Sequence, residues 1–546
     1  MTNAIHGFFQ RRRALFLVLL ALVSVAAAWA GYRYLHKPPH YKGVSRIQID
    51  MRDPDMVLAT RNLAELPKDI AAAPTLQGLV DVQLVFHYEE DEARLSLEGS
   101  VRRLAYEHKL TLQDRFLSTL LSAPAEIGIW RSSKGRPEYF VAAIDRGALA
   151  ALTQSFAKIA LSDGQLKQVG TFSVAGESLP LYTLDYGGGR YLAFVGAGNR
   201  WIFMSDPSLA LDGENKLTAD AAEVLGALMR GKHPWQDKLP CAAQAKHSFV
   251  IGRKALTLDY SRFLPALDGL RINFDGTKWH PELRVNHKAF PKNYDLNAKL
   301  SALWRTLPAD SALCAALPVN WSLAKDPLKE LLQDESGLQP TLDALGPVGA
   351  ICWFAGSRLS APLFVAIADR PFPPETSKII ANLAAKSWAA AGSLQTEGQG
   401  ERYVAAVPSR HGMRHEGSQD RSFEPSLARH GDMLIFSPDR SHVDATLAVA
   451  AKRAAALGDG AGMQGPIWLV YDPKRLAQLT RSEVQEVLPT DEEPFFREVA
   501  RNRLWPRLES WGQKQSATAW VGANVSTDGF VALESKPVNG RGNMAP

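Results

Sequence analysis

Cysteine is scarce in this chain: three in 546 residues, Cys241, Cys314 and Cys352. At most one internal disulfide can form from three, and one thiol is then left over. No two of them make a Cys-x-x-Cys pair, which argues against a redox dithiol and a thiolate zinc site. The simplest expectation is three buried, small apolar side chains. Common catalytic signatures are missing too. There is no Gly-x-Ser-x-Gly elbow, no His-Glu-x-x-His, no Gly-Lys-Ser/Thr phosphate loop and no complete EF-hand loop. A surplus of one charge is likewise lacking. The 62 Lys and Arg against 57 Asp and Glu leave a net charge of +5, which makes no case for a nucleic-acid partner.

What is present begins at the N-terminus. Arg11-Arg12-Arg13 precedes Ala14–Ala30, an uncharged run whose only polar side chain is Ser24. Roughly 20 apolar residues span a bilayer, a length reached here if Tyr32 and Tyr34 sit in the interface. The arginines hold the N-terminus in the cytoplasm. The sequence therefore predicts a cytoplasmic N-terminus (1–13), a transmembrane anchor (14–35) and a linker (36–43) stiffened by Pro38 and Pro39. The bulk of the chain would lie in the periplasm, held at the inner membrane by a single pass. Ala28-Trp29-Ala30 has the small-x-small form of a signal-peptide cleavage site, but the apolar run exceeds the usual 7–15 residues.

Beyond the linker, strand-like alternation and helical spacing interleave at ordinary α+β proportions. Asp53–Leu66 is expected to be a helix stopped by Pro67. Strands are expected at Ile127–Arg131, Glu138–Asp145, Val169–Val174, Leu179–Asp185, Arg190–Val195 and Trp201–Ser205, then at Ser248–Gly252 and Leu270–Phe274. The order then restarts. Pro362-Leu-Phe-Val-Ala-Ile-Ala-Asp-Arg370 repeats Glu138-Tyr-Phe-Val-Ala-Ala-Ile-Asp-Arg146, with Phe, Val, Ala, Asp and Arg at matching places. Val348–Phe354 echoes Ile127–Arg131, the stretch from Asp432 to Asp439 echoes Trp201–Pro207, and Leu307–Ala312 echoes Leu66–Ala71. These matches predict two tandem, divergent α+β lobes with largely antiparallel sheets, residues 44–300 and 301–546. Phe140 and Phe364 are expected to face the cores, and Asp145 and Asp369 to cap the helices that follow.

Few constellations carry chemistry. Gly187-Gly-Gly-Arg190 and Gly196-Ala-Gly-Asn-Arg200 have phosphate-cradle composition but lie between short strands, where hairpin turns account for them. His411-Gly-Met-Arg-His415 is the densest histidine cluster; His411, His415 and Asp432 are the candidate metal ligands, set against a solvated loop. No catalytic or cofactor-binding residue stands out, and no cofactor is expected.

Leu63-Ala-Glu-Leu-Pro-Lys-Asp69, Leu95-Ser-Leu-Glu-Gly99 and above all Arg103-Leu-Ala-Tyr-Glu-His-Lys-Leu-Thr-Leu-Gln-Asp-Arg115 resemble the YfaA-like family of uncharacterised bacterial envelope proteins. Pro124-Ala-Glu126 with Trp130-Arg131 fits as well. The resemblance implies an envelope location and an α2-macroglobulin-like envelope protein as a partner, and it transfers no catalytic residues. Within the long match, Arg103, Tyr106, His108 and Arg115 offer an interaction surface or a buried polar network. The combined expectation is a non-enzymatic, membrane-anchored periplasmic scaffold or binding partner. The alternatives are an envelope hydrolase with a nonstandard site and an ectodomain binding a ligand between its lobes.

Overall fold

The computed structural model describes residues 49–73, 122–132, 135, 137–145, 166–174, 177–185, 191–197, 199–212, 217–257, 261–292, 294–332, 337–359, 361–387, 393–397, 400–404, 425–460, 465–487, 500–525 and 529–538. The expected anchor, the linker and the Arg103–Arg115 stretch lie outside them. No helix among the described residues is long and apolar enough to cross a membrane.

The chain divides into two compact units. The first comprises Met1–Asp259 with Gly269–Glu282, the second Tyr260–Asp268 with Leu283–Pro546. The boundary that the sequence suggests, after residue 300, falls inside a helix, Leu296–Trp304, that belongs wholly to the second unit.

In the first unit β1 (Met56–Thr60) is central, flanked by β2 (Ala125–Arg131) and β8 (His247–Gly252). Helical expectation over Asp53–Leu66 fails here because Val57 needs a partner on both sides and is 1% exposed; pairing in the sheet overrides local propensity. Pro67 does not stop a helix but stands in the first turn of α1 (Leu66–Ala71), where its missing N–H costs nothing. Next come β3 (Pro137–Asp145), β4 (Leu166–Val174), β5 (Glu177–Asp185), β6 (Tyr191–Ala197) and β7 (Arg200–Met204). The β6–β7 hairpin pairs Ala197 with Arg200, so the Gly196–Arg200 stretch is a tight turn. α2 (Ala219–Met229), capped by Thr218, the short α3 (Arg253–Leu256) and the strands β9 (Leu267–Phe274) and β10 (Trp279–Val285), of which Leu267–Asp268 and Leu283–Val285 belong to the second unit, complete the set.

The second unit runs α4 (Leu296–Trp304), β11 (Ser311–Pro318), α5 (Lys325–Leu332), α6 (Leu338–Ala344), β12 (Leu345–Phe354) and β13 (Leu363–Ala368). It continues with α7 (Thr376–Ser387), β14 (Ser393–Glu397), β15 (Gly400–Val404), β16 (Ser426–His430) and β17 (Met433–Ser437). α8 (Arg440–Ala450), β18 (Ile467–Tyr471), α9 (Pro473–Val487), α10 (Trp505–Lys514), β19 (Thr518–Val525) and β20 (Phe530–Pro537) close it.

The two strand orders coincide. Across the sheet the first set reads β10-β9-β8-β1-β2-β3-β7-β6-β5-β4 and the second β20-β19-β18-β11-β12-β13-β17-β16-β15-β14. The pairings are antiparallel, so the α+β, antiparallel architecture read from the sequence holds. Register differs by two residues where the nonapeptides are superposed: Val141 pairs with Gly128, but Val365 pairs with Ala350. One row in the first unit contains Val250, Val57, Gly128 and Val141; the second has Val470, Cys314, Cys352 and Leu363. The repeated nonapeptides occupy equivalent strands, β3 and β13. Asp145 and Asp369 both donate their backbone N–H to the residue just before the neighbouring strand, Pro124 and Ala344. Leu307–Ala312, by contrast, leads into β11, whereas Leu66–Ala71 follows β1. That echo joins non-equivalent places.

Candidate functional site

Of the residues singled out from the sequence, His411, His415, Arg103, Tyr106, His108 and Arg115 lie outside the described residues. Asp432 is exposed in the β16–β17 turn, beside Gly431 at φ 60°, and its carbonyl accepts from Ala368 N–H at 2.7 Å. Among the described residues no group of three or more His, Cys, Asp or Glu is placed to hold a metal. Asp369 caps no helix: it pairs with Lys299 at 2.5 Å, and α7 begins only at Thr376. Asp145 pairs with Arg200 at 3.0 Å. Phe364 faces no core either; it is 40% exposed and stacks on Phe436 at 6.1 Å. Cys314 and Cys352 are not thiols but a buried disulfide joining β11 to β12, and Cys241 remains free. Burial pushes the Cys241 thiol up to about 12, far from the thiolate a nucleophile requires.

The most organised polar cluster was not legible in the sequence. It gathers at the end of β1, the start of β8 and α1 of the first unit. Thr60 Oγ1 lies 2.7 Å from His247 Nδ1, and His247 Nε2 lies 2.8 Å from Asp69 Oδ2. Asp69, a carboxylate, only accepts. Nε2 therefore carries the ring proton and donates it, and Nδ1 accepts from the Thr60 hydroxyl. Thr60 Oγ1 also accepts from Asn62 N–H at 3.1 Å. Lys246 Nζ sits 2.5 Å from both Asp69 Oδ2 and Glu65 Oε2, and these hydrogen bonds raise the lysine above its ordinary value. The imidazole stacks with Phe274 (5.7 Å) and Trp279 (6.1 Å), and Trp279 donates its indole N–H to the Asp69 carbonyl at 2.9 Å. Burial pushes His247 below its ordinary value, against the opposite pull of Asp69.

A hydroxyl, an imidazole and a carboxylate in series have the composition of a nucleophilic triad. The surroundings remove that use. His247 is fully buried and Thr60 only 5% exposed. The hydroxyl already accepts an amide proton, and the carboxylate already meets two donors. The cluster is built as a clamp that ties the segment after β1 to β8. The sequence hides it because His247 is far in the chain from Thr60 and Asp69, and the strand expected from Ser248 onward left His247 just outside.

Two smaller constellations show the same economy. In the second unit His442, on α8, lies 3.0 Å from Ser357 Oγ and stacks on Phe354 at 4.4 Å, while Ser357 Oγ accepts from Phe354 N–H. Burial lowers His442 as well. In the first unit Glu126 is buried, held above its ordinary value by desolvation, and meets the exposed His233 at 2.6 Å.

These features define a class: an α+β protein of two antiparallel units with the same strand order, in which polar clusters brace the fold. The chain belongs to the family described as "Uncharacterized protein conserved in bacteria (DUF2138)", whose model matches residues 13–529. It is similar to "Uncharacterized protein YfaA" of Escherichia coli (strain K12), 29% identical over 496 residues, covering 86% of this chain and 87% of that one. The resemblance carried by Arg103–Arg115 thus holds over most of the chain. No solved structure matches.

Proposed function

We propose that the chain is an exported envelope protein, anchored in the inner membrane by its N-terminal apolar run. Its two units are tandem copies of one fold and act as a binding scaffold, not as a catalyst. The observation that carries the scaffold reading is the closed state of the Thr60–His247–Asp69 cluster, whose groups are turned inward onto one another. Export is supported by the Cys314–Cys352 disulfide, since such bonds persist in oxidising compartments, and by the triple arginine before the apolar run. An α2-macroglobulin-like envelope protein, implied by the family resemblance, is the first partner to seek.

Crosslinking in intact cells with the full-length protein, followed by mass spectrometry, tests the scaffold reading. Recovery of a stoichiometric envelope protein is expected. Recovery of none, together with hydrolytic activity that Thr60→Ala abolishes, would overturn it. Topology is tested separately with a reporter active only outside the cytoplasm, fused after Pro537. Absence of its activity would overturn the periplasmic placement alone.

A further inference from the structure

We infer that the Thr60–His247–Asp69 cluster is an acid-sensitive latch that holds the segment Arg61–Ala73 against the first unit's sheet at neutral pH and releases it when His247 takes up a proton.

Arg61 Nη2 donates to the Ala243 and Gln244 carbonyls at 3.3 Å, and the segment's other polar fastenings gather at one ring and the lysine beside it. Asp69 on α1 meets His247 Nε2 at 2.8 Å and Lys246 Nζ at 2.5 Å. The Asp69 carbonyl takes the Trp279 indole proton, and Arg61 N–H donates to the Lys246 carbonyl at 2.9 Å. Asn62 N–H is anchored on Thr60 Oγ1, itself bonded to Nδ1 of the same ring. Packing adds little beyond this. α1 has six residues, and of the segment's side chains Leu66 and Ala73 are buried. A helix this short does not persist on its own propensity.

Protonation changes the bonding at one atom. In the neutral ring Nδ1 accepts the Thr60 hydroxyl proton. In the cation Nδ1 is a donor, so Thr60 Oγ1 must accept from Nδ1–H as well as from Asn62 N–H. Its own proton then loses its acceptor inside a site 5% open to water. A buried hydroxyl without an acceptor carries a desolvation penalty. The charged groups facing the ring are Asp69 and Glu65, which favour the cation, and Lys246, which opposes it. Full burial beside Phe274 and Trp279 adds to the opposition. The folded ring therefore takes its proton less readily than the free one. Latch stability is fully present above the ordinary histidine value near 6.5 and is lost as pH falls below it.

Hydrogen exchange on the full-length protein between pH 7.5 and 4.5, corrected for intrinsic chemical exchange, tests this. Amides in peptides covering 61–73 are expected to lose at least tenfold in protection, with a midpoint below about 6.5, while β2 and β3 stay protected. His247→Gln is expected to abolish the pH dependence. Should that variant not fold, Lys246→Gln decides: removing the opposing charge moves the midpoint upward. Equal wild-type protection at both ends of the range, simultaneous loss in β2 and β3, or a Lys246→Gln midpoint that stays in place would overturn the latch.

Discussion

Cys314 and Cys352 stand directly opposite each other on β11 and β12 and are bonded, whereas in the first unit Val57 and Gly128 stand opposite each other on β1 and β2. The two units thus hold neighbouring strands together in two ways. In the second unit a covalent bond joins them. In the first, Gly128 leaves a gap in which Trp235 and Trp130 pack edge to face at 5.8 Å, their indole N–H groups donating to the Met51 and Asp50 carbonyls.

Loss of the disulfide is expected to weaken the second unit. The two cysteines are 38 residues apart, for which loop-closure entropy corresponds to about 4 kcal/mol. In the Cys314→Ala/Cys352→Ala variant, hydrogen exchange of β11, β12 and β18 should accelerate strongly while β1 and β2 stay near wild type. Equal loss in both sets would contradict the assignment.

Gly128 gives the mirror experiment. A Cβ there would come within 2.8 Å of the Trp235 ring and 2.9 Å of Trp130, and neither rigid indole can yield without breaking its hydrogen bond. Gly128→Ala should destabilise the first unit by roughly 1–3 kcal/mol, the usual range for overpacking. Chemical denaturation followed by tryptophan fluorescence reads it directly. A change below a few tenths of a kcal/mol would mean that the indoles adapt freely.

Asp206 caps a three-residue 3-10 turn after β7, Pro207–Leu209, and Asp439 caps α8 after β17 with the same side-chain bonds. Asp206 Oδ1 accepts from both the N–H and the hydroxyl of Ser208, and Asp439 Oδ1 does the same with Ser441. Asp206→Ala and Asp439→Ala should each cost about 1 kcal/mol, typical of a lost N-cap. Similar losses in thermal unfolding would follow from similar geometry. A difference much beyond that figure would show that the two copies use this corner differently.

These cases also show how much the sequence could reveal. The equivalence of β3 with β13, of β2 with β12 and of β7 with β17 was legible, because apolar alternation is a local signal. The hairpin at Ala197–Arg200 was legible for the same reason. Burial was not. Phe140 and Phe364 share a motif, yet Phe364 is exposed, since the motif specifies a strand and not what lies over its face. Helix α9 had no counterpart among the expected elements. Neither the Thr60–His247–Asp69 clamp nor the cysteine pairing had any local signal, because strands distant in sequence make both.

His442 supplies the last prediction. Its ring is buried against Phe354 and bonded to Ser357, and burial holds it below its ordinary value while Asp439 and Asp310 pull the other way. The unfolded chain therefore binds a proton that the folded chain refuses. Stability is unaffected above about 6.5 and declines as pH falls through the window beneath it. His442→Gln removes that proton uptake, so its melting temperature should fall less than that of wild type between pH 7 and pH 5. The contrast should localise to the second unit, with exchange of α8 and β17 amides less pH-dependent in the variant. If wild type and variant lose stability in parallel over this range, other groups govern the second unit's acid sensitivity.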